Sequence, residues 1–323
     1  MSATPLQQLR EAGTVLIADT ADFEKIARFN ASEGTTNPTL LYLASQNPAY
    51  GALVSRALDY ARSLPDATPQ HERTSAAVDF LAVQFGAQIY KLTGRVSTEV
   101  DVTLSFDTAA TVAAALRIID LYGKEGVPKD RVRIKISATW EGIQAARTLQ
   151  REHGVSCLVT VVFGLAQAVA AAEAGVDAIA PYVGRIADWG KKNGYEGEDL
   201  GVATVSRIQN QLRKYGFRTQ VMAASFRSTG QVRALAGIDL LTAAPSILEA
   251  LERETEPIIP RLTQQSAKEA DLPDIRFEGS ESAFRWAFNA DACAVEKSAE
   301  AMRKFAEDTE KLNNVLAERL SAA

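Results

Sequence analysis

The stretch DRVRIKISATW, Asp130–Trp140, decides how the chain is read. Val132, Ile134 and Ile136 alternate with Arg133, Lys135 and Ser137. A two-residue period belongs to a strand, whose successive side chains leave opposite faces. One face here is branched and apolar; the other carries two cations and a hydroxyl. If the apolar face packs on helices, Arg133, Lys135 and Ser137 face the interior that the sheet encloses. The following TWEGIQAARTLQREHG has helical periodicity and closes on a glycine, so the whole reads as a β–α unit.

The same unit recurs along the chain. Strand-like runs stand at Val15–Asp19 (VLIAD), Gly34–Leu40 (GTTNPTL), Gly94–Asp101 (GRVSTEVD) and Arg131–Ser137 (RVRIKIS). Further runs follow at Cys157–Phe163, Asp177–Val183, Thr219–Ser225 and Leu240–Pro245. Ala- and Leu-rich segments join them, DTAATVAAALRIIDLYGKEG being the clearest. Strand alternating with helix predicts a parallel sheet. Eight units in roughly 230 residues predict an α/β fold closed as a (β/α)8 TIM barrel. An open doubly wound sheet is the alternative, but no G-x-G-x-x-G follows the first strand. From about residue 280 the sequence reads as an extra C-terminal helical segment, docked on the barrel or on a second subunit. No composition break interrupts residues 1–323, which predicts one domain.

Composition narrows the function. The chain has 323 residues, 46 % apolar, with a formal charge of −5. An acidic balance argues against general nucleic-acid binding. No apolar run reaches membrane-spanning length, and MSATPLQQLREAGT lacks a signal-peptide core. Two cysteines, Cys157 and Cys293, do not suggest a disulfide framework, so a cytoplasmic location is expected. His71 and His153 are the whole imidazole supply, too few for a His-rich metal site. Neither a metal nor a cofactor is expected. The chemistry falls to lysine, carboxylates and hydroxyls.

In a TIM barrel the active groups project from the C-terminal strand ends. Those ends carry Asp19, Asn37, Glu99, Lys135, Thr160, Tyr182, Ser225 with Arg227, and Thr242. Each has a plainer use. Asp19 suits a helix cap, and Asn37 before Pro38 suits another. Glu99 has Arg95 as a surface partner, Thr160 suits any strand, and Lys135 can snorkel to water. Together they suit carbonyl chemistry on a polar anion. Burial of Lys135 disfavours its charged form and predicts a lowered pKa, as a Schiff-base nucleophile needs. Arg185 and Arg227 each follow a strand and present the planar fork that fits phosphate. Arg133 points inward below Lys135, with no partner evident in the sequence.

The strings TTNPTL, GRVSTEVD, RIKISATWEGI, PYVGRIADW and ASFRSTG resemble the motifs of the larger transaldolases, in order and over nearly the whole chain. The resemblance implies a cofactor-free barrel of the class I aldolase type, commonly a homodimer. It implies transfer of a dihydroxyacetone unit from a ketose phosphate to an aldose phosphate in the pentose phosphate pathway. The donors would be sedoheptulose 7-phosphate or fructose 6-phosphate, and the acceptors glyceraldehyde 3-phosphate or erythrose 4-phosphate. By position, Lys135 matches the Schiff-base lysine and Asp19 the acid/base at the C4 hydroxyl. Glu99 with Thr160 matches the pair that holds a water. Asn37 matches the amide on the dihydroxyacetone portion, and Arg185, Ser225 and Arg227 the phosphate group.

Four positions depart from that pattern. Leu158 stands where an Asn is usual, Gly164 for a Ser, and Ala180 and Tyr182 where ISPFVGR would place Ser and Phe. Loss of an amide weakens hydroxyl recognition, and Tyr182 adds a substrate-facing group that can hold water or a proton. Small fructose-6-phosphate aldolases carry a tyrosine in a comparable role. Aldol cleavage releasing dihydroxyacetone, a specialised paralogue for another carbonyl, and a catalytically weak sugar-phosphate-binding barrel are the alternatives.

Overall fold

A computed structural model describes residues 3–20 and 22–322. Eight strands close into one barrel in sequence order, every neighbouring pair parallel. They are β1 (Val15–Asp19), β2 (Glu33–Thr35), β3 (Val96–Glu99), β4 (Val132–Ser137), β5 (Ser156–Val162), β6 (Ala178–Pro181), β7 (Gln220–Ala223) and β8 (Leu240–Ala243). Helices follow the strands and cover the outside, and closure leaves no strand edge unpaired. Among the described residues no helix is long and apolar enough to cross a membrane.

The opening stretch behaves as its alternation predicts. All six residues of β4 are buried, Val132, Ile134 and Ile136 in the apolar core. Register then fixes which inward groups meet. Glu99 stands level with Lys135, Lys135 with Leu158, and Ser137 with Thr160. The run at Gly34–Leu40 is shorter than the alternation suggests. Its strand ends at Thr35, because Asn37 and Pro38 start the helix Pro38–Ser45.

β5 breaks regularity at its top. Its pairing with β6 shifts between Val159 and Val162, and Val161 takes a φ of 61°. A β-branched residue in the left-handed region costs on the order of 1–3 kcal/mol. The buried Gln167 amide holds that turn. Its Nε2 donates to the carbonyls of Val161 (3.0 Å) and Ala138 (3.1 Å) and to Ser298 Oγ (3.2 Å). Its Oε1 accepts from the backbone of Phe163 and Gly164.

The tail forms two helices, Glu281–Asn289 and Ala292–Ser321. The second lies on the barrel, burying Cys293, Ala301, Phe305, Leu312 and Leu316. Asp308 anchors it: it accepts from Thr39 Oγ1 at 2.6 Å and pairs with Lys304 and Lys311 at 3.0 Å. Gly164 belongs to this contact. A Cβ there would lie 2.6 Å from Oδ2 of Asp291, the N-cap of the tail helix. A side chain at this position would push that carboxylate aside and disturb its capping bond to Ala294 N.

Candidate functional site

A cavity of about 190 Å³ opens at the C-terminal mouth of the barrel. Asp19, Asn37, Lys135, Tyr182, Arg185, Ser225 and Arg227 line it, from five different strand ends. Glu99 and Thr160 do not. Thr160 is fully buried, and Glu99 faces a second cavity of about 40 Å³ behind Lys135. The mouth therefore has an accessible front and a closed rear.

Lys135 Nζ lies 3.0 Å from Glu99 Oε2 and 3.5 Å from the Thr36 carbonyl. Both side chains are over nine-tenths buried. The contact has ion-pair distance without hydrogen-bond alignment, and neither Glu99 oxygen meets an aligned donor. Glu99 does not reach Arg95, which instead turns to Ser156 and Glu33.

The expected lowering of the Lys135 pKa does not occur. Burial does pull it down, but the negative fields of Glu99 and Asp19 outweigh burial and hold it above the ordinary lysine range. Burial raises both carboxyls, against the opposing field of Lys135. Arg185 adds a second positive field that opposes burial at both carboxyls. A lysine held charged must pass a proton to a neighbouring carboxylate before its amine can act as a nucleophile.

Asp19 is free for such a role. The helix that follows it, Phe23–Arg28, is capped by Asp22. Asn37 serves two ends: Oδ1 caps Pro38–Ser45 by accepting from Leu40 N at 3.0 Å, while its side chain lines the mouth. The amide NH2 remains for a ligand oxygen.

Thr160 Oγ1 and the Tyr182 hydroxyl share a hydrogen bond of 2.9 Å. Burial raises the Tyr182 pKa, so the phenol keeps its proton. Beside it Leu158 and Ala180 line the same wall and are buried. That wall offers one phenol and two apolar surfaces.

The cationic end is assembled by backbone. Val183 N donates to the Ala224 carbonyl (2.9 Å) and Gly184 N to the Ser225 carbonyl (3.0 Å). A Cβ at Gly184 would sit 2.2 Å from that Ser225 oxygen and 2.7 Å from Arg227 Cγ, so only glycine lets the two loops close. Ser225 itself takes a φ of 62°. Arg227 Nη1 reaches Ser225 Oγ at 3.3 Å, while Asp188 holds Nη2 at 2.9 Å. Arg185 makes no ion pair with the described residues. Its guanidinium lies over the rings of Tyr182 (5.1 Å) and Phe305 (5.7 Å). Stacking fixes the fork while leaving its donors open. Phe305 lies on the tail helix, and nothing in its local sequence marks it for the site. The sequence reading also missed Glu33, the partner of Arg133 at 3.2 Å.

Asp79 lines the rear cavity with Glu99. Burial lifts its pKa from 3.8 to about 6, against the pull of Arg117 at 3.8 Å. Below 3.8 folded and unfolded chains both hold the proton, and burial costs nothing. Through the interval only the folded chain holds it; above about 6 the full cost of a buried carboxylate is present. Asp79→Asn should therefore stabilise the chain by on the order of 2 kcal/mol at pH 7.5 and by almost nothing at pH 3.5. Urea unfolding of both chains at the two pH values checks this; an equal effect at both would refute it.

The sequence model of the family described as "Transaldolase/Fructose-6-phosphate aldolase" matches residues 16–316. A rat protein named transaldolase is 48 % identical over 324 residues, covering 98 % of this chain and 95 % of that one. A pig transaldolase is 48 % identical, with 98 % and 94 % covered. The transaldolase of Saccharomyces cerevisiae is 46 % identical, with 98 % and 96 % covered.

Proposed function

The chain belongs to the transaldolase/fructose-6-phosphate aldolase family, and from that premise we propose that it is a transaldolase that moves a dihydroxyacetone unit between sugar phosphates through a Schiff base on Lys135. The observation that carries this reading is the buried Lys135–Glu99 pair under a mouth rimmed by Arg185 and Arg227. Sedoheptulose 7-phosphate or fructose 6-phosphate would be the donor, and glyceraldehyde 3-phosphate or erythrose 4-phosphate the acceptor.

The residues divide the steps. Arg185, Ser225 and Arg227 take the phosphate, with Asp188 giving up part of its hold on Arg227. That placement points the ketose carbonyl down the barrel to Lys135. Lys135 passes a proton to the carboxylate of the cluster and attacks C2. Loss of water from the carbinolamine needs a proton donor at the leaving hydroxyl. Glu99, whose oxygens meet no aligned protein donor, is suited to hold that water with the Thr160–Tyr182 pair. The iminium then draws in the electron pair of the C3–C4 bond as Asp19 takes the C4 hydroxyl proton. An aldose leaves, and the enamine stays on Lys135 until a second aldehyde adds.

Tyr182 supports a second reading. Its hydroxyl lines the cavity with Lys135; a water held there that protonates the enamine at C3, followed by hydrolysis of the iminium, would release free dihydroxyacetone and the lysine amine. Assayed without acceptor, the parent chain should form measurable dihydroxyacetone, and Tyr182→Phe should lower the ratio of that leak to transfer by about tenfold. An equal ratio in both chains would make the phenol a bystander.

A further inference from the structure

A second cavity lies at the opposite, N-terminal end of the barrel. Its volume is about 620 Å³, against about 190 Å³ over Lys135. Barrel interiors are ordinarily filled there by branched apolar side chains. Here the inward positions are Glu33, Ser97, Arg133, Ser156 and Gln220, and Arg95 and Arg218 stand at the opening.

Arg133 is the unusual member. It is 4 % exposed, yet it lines the cavity. Nη2 donates to Gln220 Oε1 at 3.3 Å, and Nη1 stands 3.2 Å from Glu33 Oε2. Neither Nη1 nor Nε has an aligned acceptor, and Arg95 Nε also lacks one. Burial lowers the Arg133 pKa, so a charged guanidinium here is held against a desolvation cost.

The carboxylates present do not balance the cations. Glu33 is divided among Ser97 Oγ, Arg133 and Arg95, the last at 3.8 Å. Asp177 accepts from Ser156 Oγ at 2.5 Å and from Gln150. Arg218 is exposed and pairs with no described residue. Three guanidinium groups face two carboxylates already in use. Unused donors on buried cations are acceptor sites waiting for an oxyanion.

We propose that the N-terminal cavity is a second anion site, taking inorganic phosphate or a phosphate monoester between Arg133, Arg95 and Arg218, separate from the subsite on Arg185 and Arg227. The planar forks suit a tetrahedral oxyanion, and the cavity admits more than a bare phosphate.

Equilibrium dialysis of the full chain against radiolabelled inorganic phosphate tests this, with glycerol 2-phosphate as a parallel probe that has no carbonyl for Lys135. Two ions per chain are expected. Arg227→Ala should remove one, and Arg218→Glu should weaken the other by about tenfold or more with unchanged transfer in phosphate-free buffer. Arg133→Gln should remove the second ion entirely; because it alters a buried pair, Arg218→Glu, on the surface, decides if that chain does not fold. Tighter binding of glycerol 2-phosphate at the surviving site of Arg227→Ala would identify the monoester as the ligand, and equal binding inorganic phosphate. One ion per chain, lost in Arg227→Ala and untouched in Arg218→Glu, overturns the proposal and leaves the transfer mechanism standing.

Discussion

Lys135→Met should lose transfer by at least on the order of 10⁴-fold, because no other group can form the imine. Borohydride with fructose 6-phosphate should add a sugar-sized mass to Lys135 in the parent chain and nothing to the variant. The side chain of Met is similar in length, so the cavity wall persists. Only the charge goes, and Glu99 and Asp19 are left without their cation. Both carboxyls are already raised by burial and would rise further, so the variant should be less stable at pH 8 than at pH 6. That pH trend distinguishes a lost nucleophile in an intact fold from a chain that never folds. Borohydride adducts on another lysine with transfer retained would displace Lys135 from its role.

Asp19→Asn should cost about 10²–10⁴-fold in turnover, the usual weight of a positioned general base. It should act at a different step. An amide cannot take the C4 hydroxyl proton, but it need not stop imine formation at Lys135. The variant should therefore still be trapped by borohydride as the full-length ketose adduct. In a single turnover, the parent should release its aldose and the variant should hold it. Loss of the adduct together with turnover would place Asp19 in imine formation and leave carbon–carbon cleavage without its assigned base. The absence of a capping duty for Asp19 favours a clean result, since Asp22 holds the next helix.

The strands were legible because alternation and register are local properties. β1 has the bounds that VLIAD suggests, and the strand-end rule brought Asp19, Lys135 and both arginines to one mouth. The protonation of Lys135 was not legible. It depends on Glu99 standing level with it, and a one-residue slip between β3 and β4 would turn that carboxylate away. The ion pair of Arg133 was hidden for a similar reason. Glu33 is the first residue of its strand, about a hundred positions away in the chain, within SEGTTNPTL, where it looks like part of a loop. Phe305 was hidden by its setting, since one aromatic on an amphipathic helix reads as core. Gly184 shows the converse, a position whose reason is a neighbour's backbone and not its own chemistry.

The seat of Phe305 has a consequence in time. The tail helix is the last described element to leave the ribosome, long after Lys135 and Arg185 have emerged. A nascent barrel lacking it carries Lys135 but has no ring on the second face of Arg185. The guanidinium then rests on the Tyr182 ring alone, and its planar fork is held on one side only. The second face of Arg185 is thus set only when the tail helix docks, with Thr39 and Asp308 as the latch between early and late segments.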